Sequence, residues 1–131
     1  MFHRLRGLAV ALGAGFVLAS VAHAGPLEDA ARDAGRPLIV RFGMERCLQC
    51  IKQSQAFDEL EPKYENQMVF RFVHIGQEEE MVEAYKVLLI PTVLFFNSSG
   101  KEVFRHVGYL AAEELEAAFR SSGLAGVTAG G

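Results

Sequence analysis

Two cysteines separated by two residues are the chemically distinctive feature of this sequence. Cys47 and Cys50 enclose Leu48 and Gln49. In the first turn of a helix, residues three apart lie on one face, so the two sulfurs can meet. The free N–H groups and the positive end of the helix dipole at that position stabilise a thiolate at the first cysteine. The spacing therefore predicts thiol-disulfide exchange, with Cys47 as the nucleophile and Cys50 as the resolving cysteine.

Two other chemistries are open for the same cysteine pair. One is a structural disulfide, although a loop this short would remove little entropy from the unfolded chain. The other is a metal site, in which zinc or copper(I) would bind both thiolates together with His74 and His106. Because the separations of these histidines from the cysteines match neither a finger nor a ribbon pattern, no metal site is assigned, and a metal-binding or carrier module that uses the two cysteines as ligands is the alternative function. Both histidines are expected to be ordinary strand residues.

The cysteine pair should lie where a strand passes into a helix. Residues 38–42 are mostly apolar and β-branched, which predicts a strand, and Gly43 lets the chain leave it. Apolar residues then recur at near-helical spacing from Cys47 to Tyr64. This pattern predicts a helix that begins near the first cysteine and falters at Pro62 or slightly beyond.

The remaining elements predict an α/β fold. They are a helix between Pro26 and Gly35, a strand over 68–75, a helix over 77–87, strands over Thr92–Phe96 and Glu102–Val107, and a helix over 111–119. A right-handed crossover through the long helix would make the first two strands parallel, and the hairpin would add an antiparallel pair. We therefore expect a mixed four-stranded sheet, formed by a βαβ unit, a β-hairpin and a final helix, with helices on both faces.

The first 24 residues have the pattern of a secretory signal peptide. Arg4 and Arg6 precede an apolar run over 7–21, and small residues at 22 and 24 suit cleavage after Ala24. An uncleaved anchor is the alternative, but the run is shorter than the roughly 20 residues that span a membrane. We expect export to the periplasm, where disulfides persist. The folded domain is expected over 25–122, with a flexible tail over 123–131.

Composition limits the partners. A chain of 131 residues that is 50% hydrophobic and 22% charged is suited to one packed domain. Its net charge is −3 and it has no basic tract, so no nucleic-acid partner is expected. No cofactor is predicted, and a monomer is expected.

Three motifs in order resemble the thioredoxin family. They are strand 38–42 leading into the cysteine pair, Ile90-Pro91-Thr92, and Val107-Gly108 after the hairpin. The resemblance extends over about residues 37–119, and the segment 91–100 is also similar to the C-terminal domain of bacterial disulfide-interchange membrane proteins. It implies a thioredoxin-like fold with Pro91 in the cis form beside the dithiol. It also implies that Ile90 offers its backbone to an extended substrate chain.

The resemblance further implies a thiol-disulfide oxidoreductase that acts on protein substrates carrying disulfides or thiols. The similarity to the disulfide-interchange proteins favours the reducing direction. A reductase in an oxidising compartment needs an electron donor, so a membrane electron-transfer partner is expected.

Departures from the family pattern surround the cysteines. Arg46 replaces the usual aromatic residue before the first cysteine, and Arg41 replaces a buried acid on the preceding strand. Both arginines are expected to tune cysteine ionisation and, together with Lys52, to make the pair more oxidising. Arg41 is expected to pair with a carboxylate or extend to solvent. Glu45 and Glu59 are candidate proton relays in place of the acid, although surface positions are expected for both. The first strand of a full thioredoxin is also expected to be missing.

Overall fold

A computed structural model describes residues 24–125. The predicted leader, apart from Ala24, and residues 126–131 of the predicted tail lie outside these residues. The elements are α1 (Pro26–Ala34), β1 (Leu38–Gly43), α2 (Leu48–Tyr64), β2 (Val69–His74), α3 (Glu79–Ala84), β3 (Thr92–Phe96), β4 (Glu102–Val107) and α4 (Ala112–Ser121). Across this part of the chain the first element is a helix, so the strand that opens a full thioredoxin is not found there.

The strands form one mixed sheet in the order β2-β1-β3-β4. The pair β1 and β2 is parallel, while β1 with β3 and β3 with β4 are antiparallel. The predicted α/β class and mixed four-stranded sheet are confirmed. The central strands β1 and β3 are almost wholly buried because their residues, which are apolar apart from Arg41 and Thr92, are covered on both faces.

Successive residues of the central strands point into two separate cores. Leu38, Val40 and Phe42 enter one core and Ile39 enters the other, as the two-residue period of a strand requires. The first core is completed by α1 and Tyr85, and the second by α2 and α4. Helical side chains therefore cover both faces of the sheet, which fixes the sheet against α2 and its N-terminal cysteines.

Helix α3 is shorter than the predicted helix over 77–87. The backbone N–H of Glu78 donates to the carbonyl of His74 at 2.9 Å, so the chain before α3 forms a turn. After α3, Lys86 has a φ of +52°, which an α-helix cannot contain. The negative glutamates still occupy the first turn of α3, where the helix dipole favours them.

Helix α2 continues through Pro62 and ends at Tyr64. A proline inside a helix removes one N–H donor, here the donor that would pair with the carbonyl of Asp58. The helix ends two residues later, which agrees with the expectation that it falters just beyond the proline.

Candidate active site

The two cysteines lie at the start of α2, directly after the loop that follows β1. Cys47 is the N-cap residue, with extended backbone angles, and its Sγ accepts a hydrogen bond from the backbone N–H of Cys50 at 3.2 Å. An N-cap group that accepts from the first turn satisfies a helix donor and favours negative charge. Both cysteines are free thiols; Cys47 is partly exposed and Cys50 is 3% exposed. One sulfur is thus accessible, and the other lies behind it.

The environment of Cys50 keeps that sulfur protonated. Burial, followed by the hydrogen bond with Cys47, raises the pKa of Cys50 to about 11. The backbone of Met44 and the charge of Arg41 act in the opposite direction and favour the thiolate. A Cβ atom at Gly43 would lie 3.3 Å from the Cys50 Cβ, so the end of β1 packs closely against this cysteine.

Arg41 neither pairs with a carboxylate nor extends to solvent, the two positions expected from the sequence. Its guanidinium lies 4.0 Å from the ring centroid of Phe72 and 5.7 Å from that of Phe57. Phe72 is the direct partner of Arg41 across the parallel β1–β2 pair, so the register places cation over ring. In residues 24–125 Arg41 forms no ion pair, and its head is half-buried rather than extended into solvent. Burial lowers its pKa, and the charges of Asp58, Cys50 and Glu61, in that order, oppose this effect.

Ile90 and Pro91 lie at the end of the sheet from which the cysteine loop leaves. The register pairs Phe42 with Thr92, which places Pro91 beside the end of β1. The Ile90–Pro91 peptide bond is cis. The Pro91 carbonyl accepts from the backbone N–H of Gly108 at 2.7 Å, which joins two of the sequence motifs.

Exposed apolar side chains lie on the segments that flank the cysteine pair and Pro91. Leu88 is 90% exposed and Leu89 is 66% exposed, immediately before Ile90. The others are Leu48, Ile51, Val107 and Tyr109. We call these six residues the apolar rim. Sequence reasoning missed it, although two leucines directly before Ile90-Pro91 and a leucine between the cysteines were a usable signal.

The remaining polar candidates, Arg46, Glu45 and Glu59, lie in different places around the cysteine pair. Arg46 is exposed next to Cys47. Glu45 Oε2 lies 2.7 Å from His74 Nε2. Because the Gly76 N–H donates to His74 Nδ1 at 3.1 Å, Nε2 carries the hydrogen and donates to Glu45. This hydrogen bond lowers the pKa of Glu45.

Glu59 lies on the exposed side of α2 with Lys63, its carboxylate 3.7 Å from the ammonium. It is therefore not brought to the cysteines. Asp58, which the sequence analysis did not single out, faces an open cleft of about 330 Å³ beside Cys50. Arg41, Glu45, Cys50, Ser54, Asp58 and Phe72 contribute to its walls. We call it the Cys50 cleft.

The structure does not bring His74 and His106 together with the two cysteines as metal ligands. His74 lies on β2 and His106 on β4, which are the two edges of the sheet, with β1 and β3 between them. Strands about 4.8 Å apart put these edges about 14 Å from each other. Within residues 24–125, no three histidines, cysteines or acids converge in a way that could hold an ion.

Comparison with known proteins agrees with this geometry. A family model described as a thioredoxin-like domain matches residues 28–122, which is most of the chain. The chain belongs to the thioredoxin family. One relative is a thioredoxin of Borreliella burgdorferi, 35% identical over 81 residues, covering 62% of this chain and 68% of that protein. The family and the cysteine pair support a thiol-disulfide oxidoreductase in general.

Solved structures share the thioredoxin fold. One, described as a malarial protein, has a TM-score of 0.63 at 18% identity and covers 66% of this chain and 97% of its own. Another, a thioredoxin-2 described as a component of malaria parasite protein secretion machinery, has a TM-score of 0.62 at 19% identity, covering 66% and 82%. Among residues 24–125, no helix has the length and apolar character needed to cross a membrane.

Proposed function

We propose that this protein is an exported thiol-disulfide oxidoreductase that reduces disulfides in protein substrates. The observation that supports this most directly is the asymmetry of the cysteine pair. Cys47 is accessible and its sulfur accepts a helix N–H, whereas Cys50 is buried three residues further along the same helix. This arrangement suits an attacking and a resolving cysteine.

The proposed reaction has two exchange steps. The Cys47 thiolate attacks a substrate disulfide, forms a mixed disulfide and releases one substrate thiolate. Cys50 then loses its proton and attacks Cys47 Sγ, which breaks the mixed disulfide and releases the second substrate thiolate. The substrate disulfide gains two electrons and two protons, and the cysteine pair becomes a disulfide.

The substrate-binding edge is assigned to Ile90 and Pro91. An extended substrate chain would pair with the backbone of Ile90, which gives affinity with little sequence preference. The apolar rim adds contacts for unfolded or apolar segments, since its exposed side chains lie on the segments that flank the cysteine pair and Pro91.

Export and electron supply complete the proposal. A leader over 1–24, cleaved after Ala24, would place the protein in the periplasm. A membrane electron-transfer partner would keep the pair reduced there, because the compartment is oxidising. We propose a monomer with no nucleic-acid partner. Mass spectrometry of the exported protein should give a chain beginning at Gly25; a retained Met1 would contradict processing but not the exchange chemistry.

The activity is tested by separating the two sulfurs. Cys50→Ser should accumulate mixed disulfides with substrate proteins, because nothing resolves them, and Cys47→Ser should form none. Wild type should accelerate insulin reduction by dithiothreitol, with the double serine variant as the matched control. Equal rates for wild type and the double variant would exclude the proposed activity.

A further inference from the structure

We propose that the Asp58 carboxylate receives the proton of the Cys50 thiol when the mixed disulfide is resolved, across the cleft that Ser54 lines. The inference rests on the proposed function, since it concerns the second of its two exchange steps. Asp58 acts across the cleft and does not touch the sulfur, so its role is to position and receive the proton.

The resolving step needs a proton acceptor because Cys50 holds its proton. Burial keeps this sulfur in the thiol form at neutral pH, and a thiol is a poor nucleophile. The neighbouring ionisable side chain of β1 is Arg41, a cation with no acceptor site. The Cys50 cleft is the open space beside the sulfur, and it gives the proton a route to a carboxylate.

Helix geometry directs Asp58 toward that space. Cys50, Ser54 and Asp58 are spaced four residues apart in α2, so they follow one another along one face of the helix. All three line the Cys50 cleft. Each step at this spacing is about 5–6 Å, so Cys50 and Asp58 lie two turns or about 12 Å apart along the helix, and the Ser54 hydroxyl together with a bridging water would connect them.

Glu45 and Glu59 are less suitable proton acceptors than Asp58. One Glu45 oxygen is already held by His74, and the same hydrogen bond makes this carboxylate a weaker base. Glu59 lies by Lys63, on a different face of α2 from Asp58. In the part of the chain that the structure describes, Asp58 has neither an ion pair nor a side-chain hydrogen bond, so its oxygens remain available.

Arg41 favours the same transfer from the other wall of the cleft. Its guanidinium is held over Phe72 and is influenced first by Asp58 and next by Cys50. A cation at this position stabilises the Cys50 thiolate that forms when the proton leaves. The titratable or charged side chains that act on Cys50 are Cys47 and Arg41, and Glu45 and Asp58 line the cleft beside it.

The atoms balance in this step. The Cys50 S–H bond breaks and its proton is relayed by the Ser54 hydroxyl and a bridging water to an Asp58 oxygen, while the sulfur keeps the electron pair. That pair forms the Cys50–Cys47 bond, and the bond between Cys47 and the substrate breaks. The departing substrate sulfur keeps the electron pair of the bond that it shared with Cys47 and leaves as a thiolate. The proton on Asp58 then passes through the cleft to this thiolate or to solvent.

The experiment follows the two steps separately with a nitrobenzoate disulfide whose thiolate product absorbs visible light. In rapid mixing, attack by Cys47 releases the first product and resolution by Cys50 releases the second. We expect Asp58→Asn to leave the first phase unchanged and to slow the second about a hundredfold at neutral pH. The wild-type second phase should be nearly flat between about pH 6 and 9, whereas that of Asp58→Asn should rise about tenfold per pH unit.

Three further variants make the result specific. Asp58→Glu should recover most of the rate, and Glu59→Gln, which removes the same charge one residue along, should match the wild type. A wild-type second phase and pH profile in Asp58→Asn would overturn the inference, as would finding the loss and the new slope in Glu45→Gln instead. Absence of the first phase in the wild type would instead overturn the proposed function. Asp58 is exposed, so its substitution leaves the packed core unchanged.

Discussion

At the scale of single residues, cations stand where the family usually has an aromatic residue and an acid. Arg41 is held against Phe72 and Phe57, so it contributes to packing as well as to charge. Arg46 is exposed beside the accessible sulfur. Positive charge at either position favours the reduced, thiolate-containing form of the pair over the neutral disulfide.

Arg46→Gln should therefore make the cysteine pair less oxidising. We expect the wild-type reduction potential to lie above the roughly −270 mV of thioredoxin, and the variant to lie lower by on the order of 10 to 20 mV, since an exposed charge contributes about 0.5 to 1 kcal/mol. Equilibration with glutathione buffers measures both values. Lys63→Gln, which removes a cation far along α2, is the control and should leave the potential unchanged. A wild-type value at or below −270 mV would contradict the expectation.

At the scale of elements, α1 is held against the sheet by side-chain and backbone contacts. The Tyr85 hydroxyl accepts from the backbone N–H of Leu27 at 2.8 Å and donates to the Glu28 carboxylate. The hairpin between β3 and β4 passes so close to α1 that a Cβ at Gly100 would lie 2.6 Å from the Glu28 carbonyl. Helix α1 therefore covers one face of the sheet.

Two glycine substitutions test this close approach. Gly100 has a φ of +82° and no room for a side chain, whereas Gly35 has a φ of +61° and open space around it. Gly35→Ala should cost about 1–2 kcal/mol of unfolding free energy from the left-handed backbone alone. Gly100→Ala should cost a further 1–3 kcal/mol, roughly, because the backbone of α1 must move. Urea denaturation measures both, and equal losses would show that α1 does not pack closely against the hairpin.

At the scale of the whole molecule, the fold buries the thiol of Cys50 and the phenol groups of Tyr64 and Tyr85, which stay neutral below alkaline pH. Burial is the main cause in each: it raises the pKa of Cys50 to about 11 and raises the pKa of Tyr64 and Tyr85 above their ordinary value of 10.0. The unfolded chain releases these protons at lower pH than the folded chain does. Their stabilising contribution is therefore complete below the unfolded pKa values and is lost as pH rises through the folded values.

Stability should consequently fall from about pH 9 upward, where unfolded cysteine begins to ionise, and more steeply above about pH 10. Tyr85→Phe should cost about 1–3 kcal/mol near neutral pH, because the Leu27 N–H loses its acceptor. The unfolding free energy of Tyr85→Phe should also fall less steeply with rising pH than that of the wild type, so the stability curves of the two proteins converge at alkaline pH. Urea unfolding at a series of pH values measures this, and parallel curves would rule out the contribution of Tyr85.

The amino-acid sequence by itself determined the elements and the cysteine chemistry. Both strands of the hairpin, the start of α2 directly after Cys47 and the end of α1 directly before Gly35 agree with their predictions. These features depend on local causes: apolar periodicity, capping, and the conformations that glycine and proline allow. The mixed sheet followed because a right-handed crossover makes the first two strands parallel and the hairpin adds an antiparallel pair.

The tertiary structure decided which side chains meet across the sheet. Arg41 lies over Phe72 because the β1–β2 register sets these residues opposite each other, and a sequence does not state its own register. The same structure puts His74 and His106 at opposite edges and places Asp58, rather than Glu59, on the wall of the Cys50 cleft. One residue along a helix rotates a side chain by about 100°, so only the packed position of α2 selects the carboxylate that lines the Cys50 cleft.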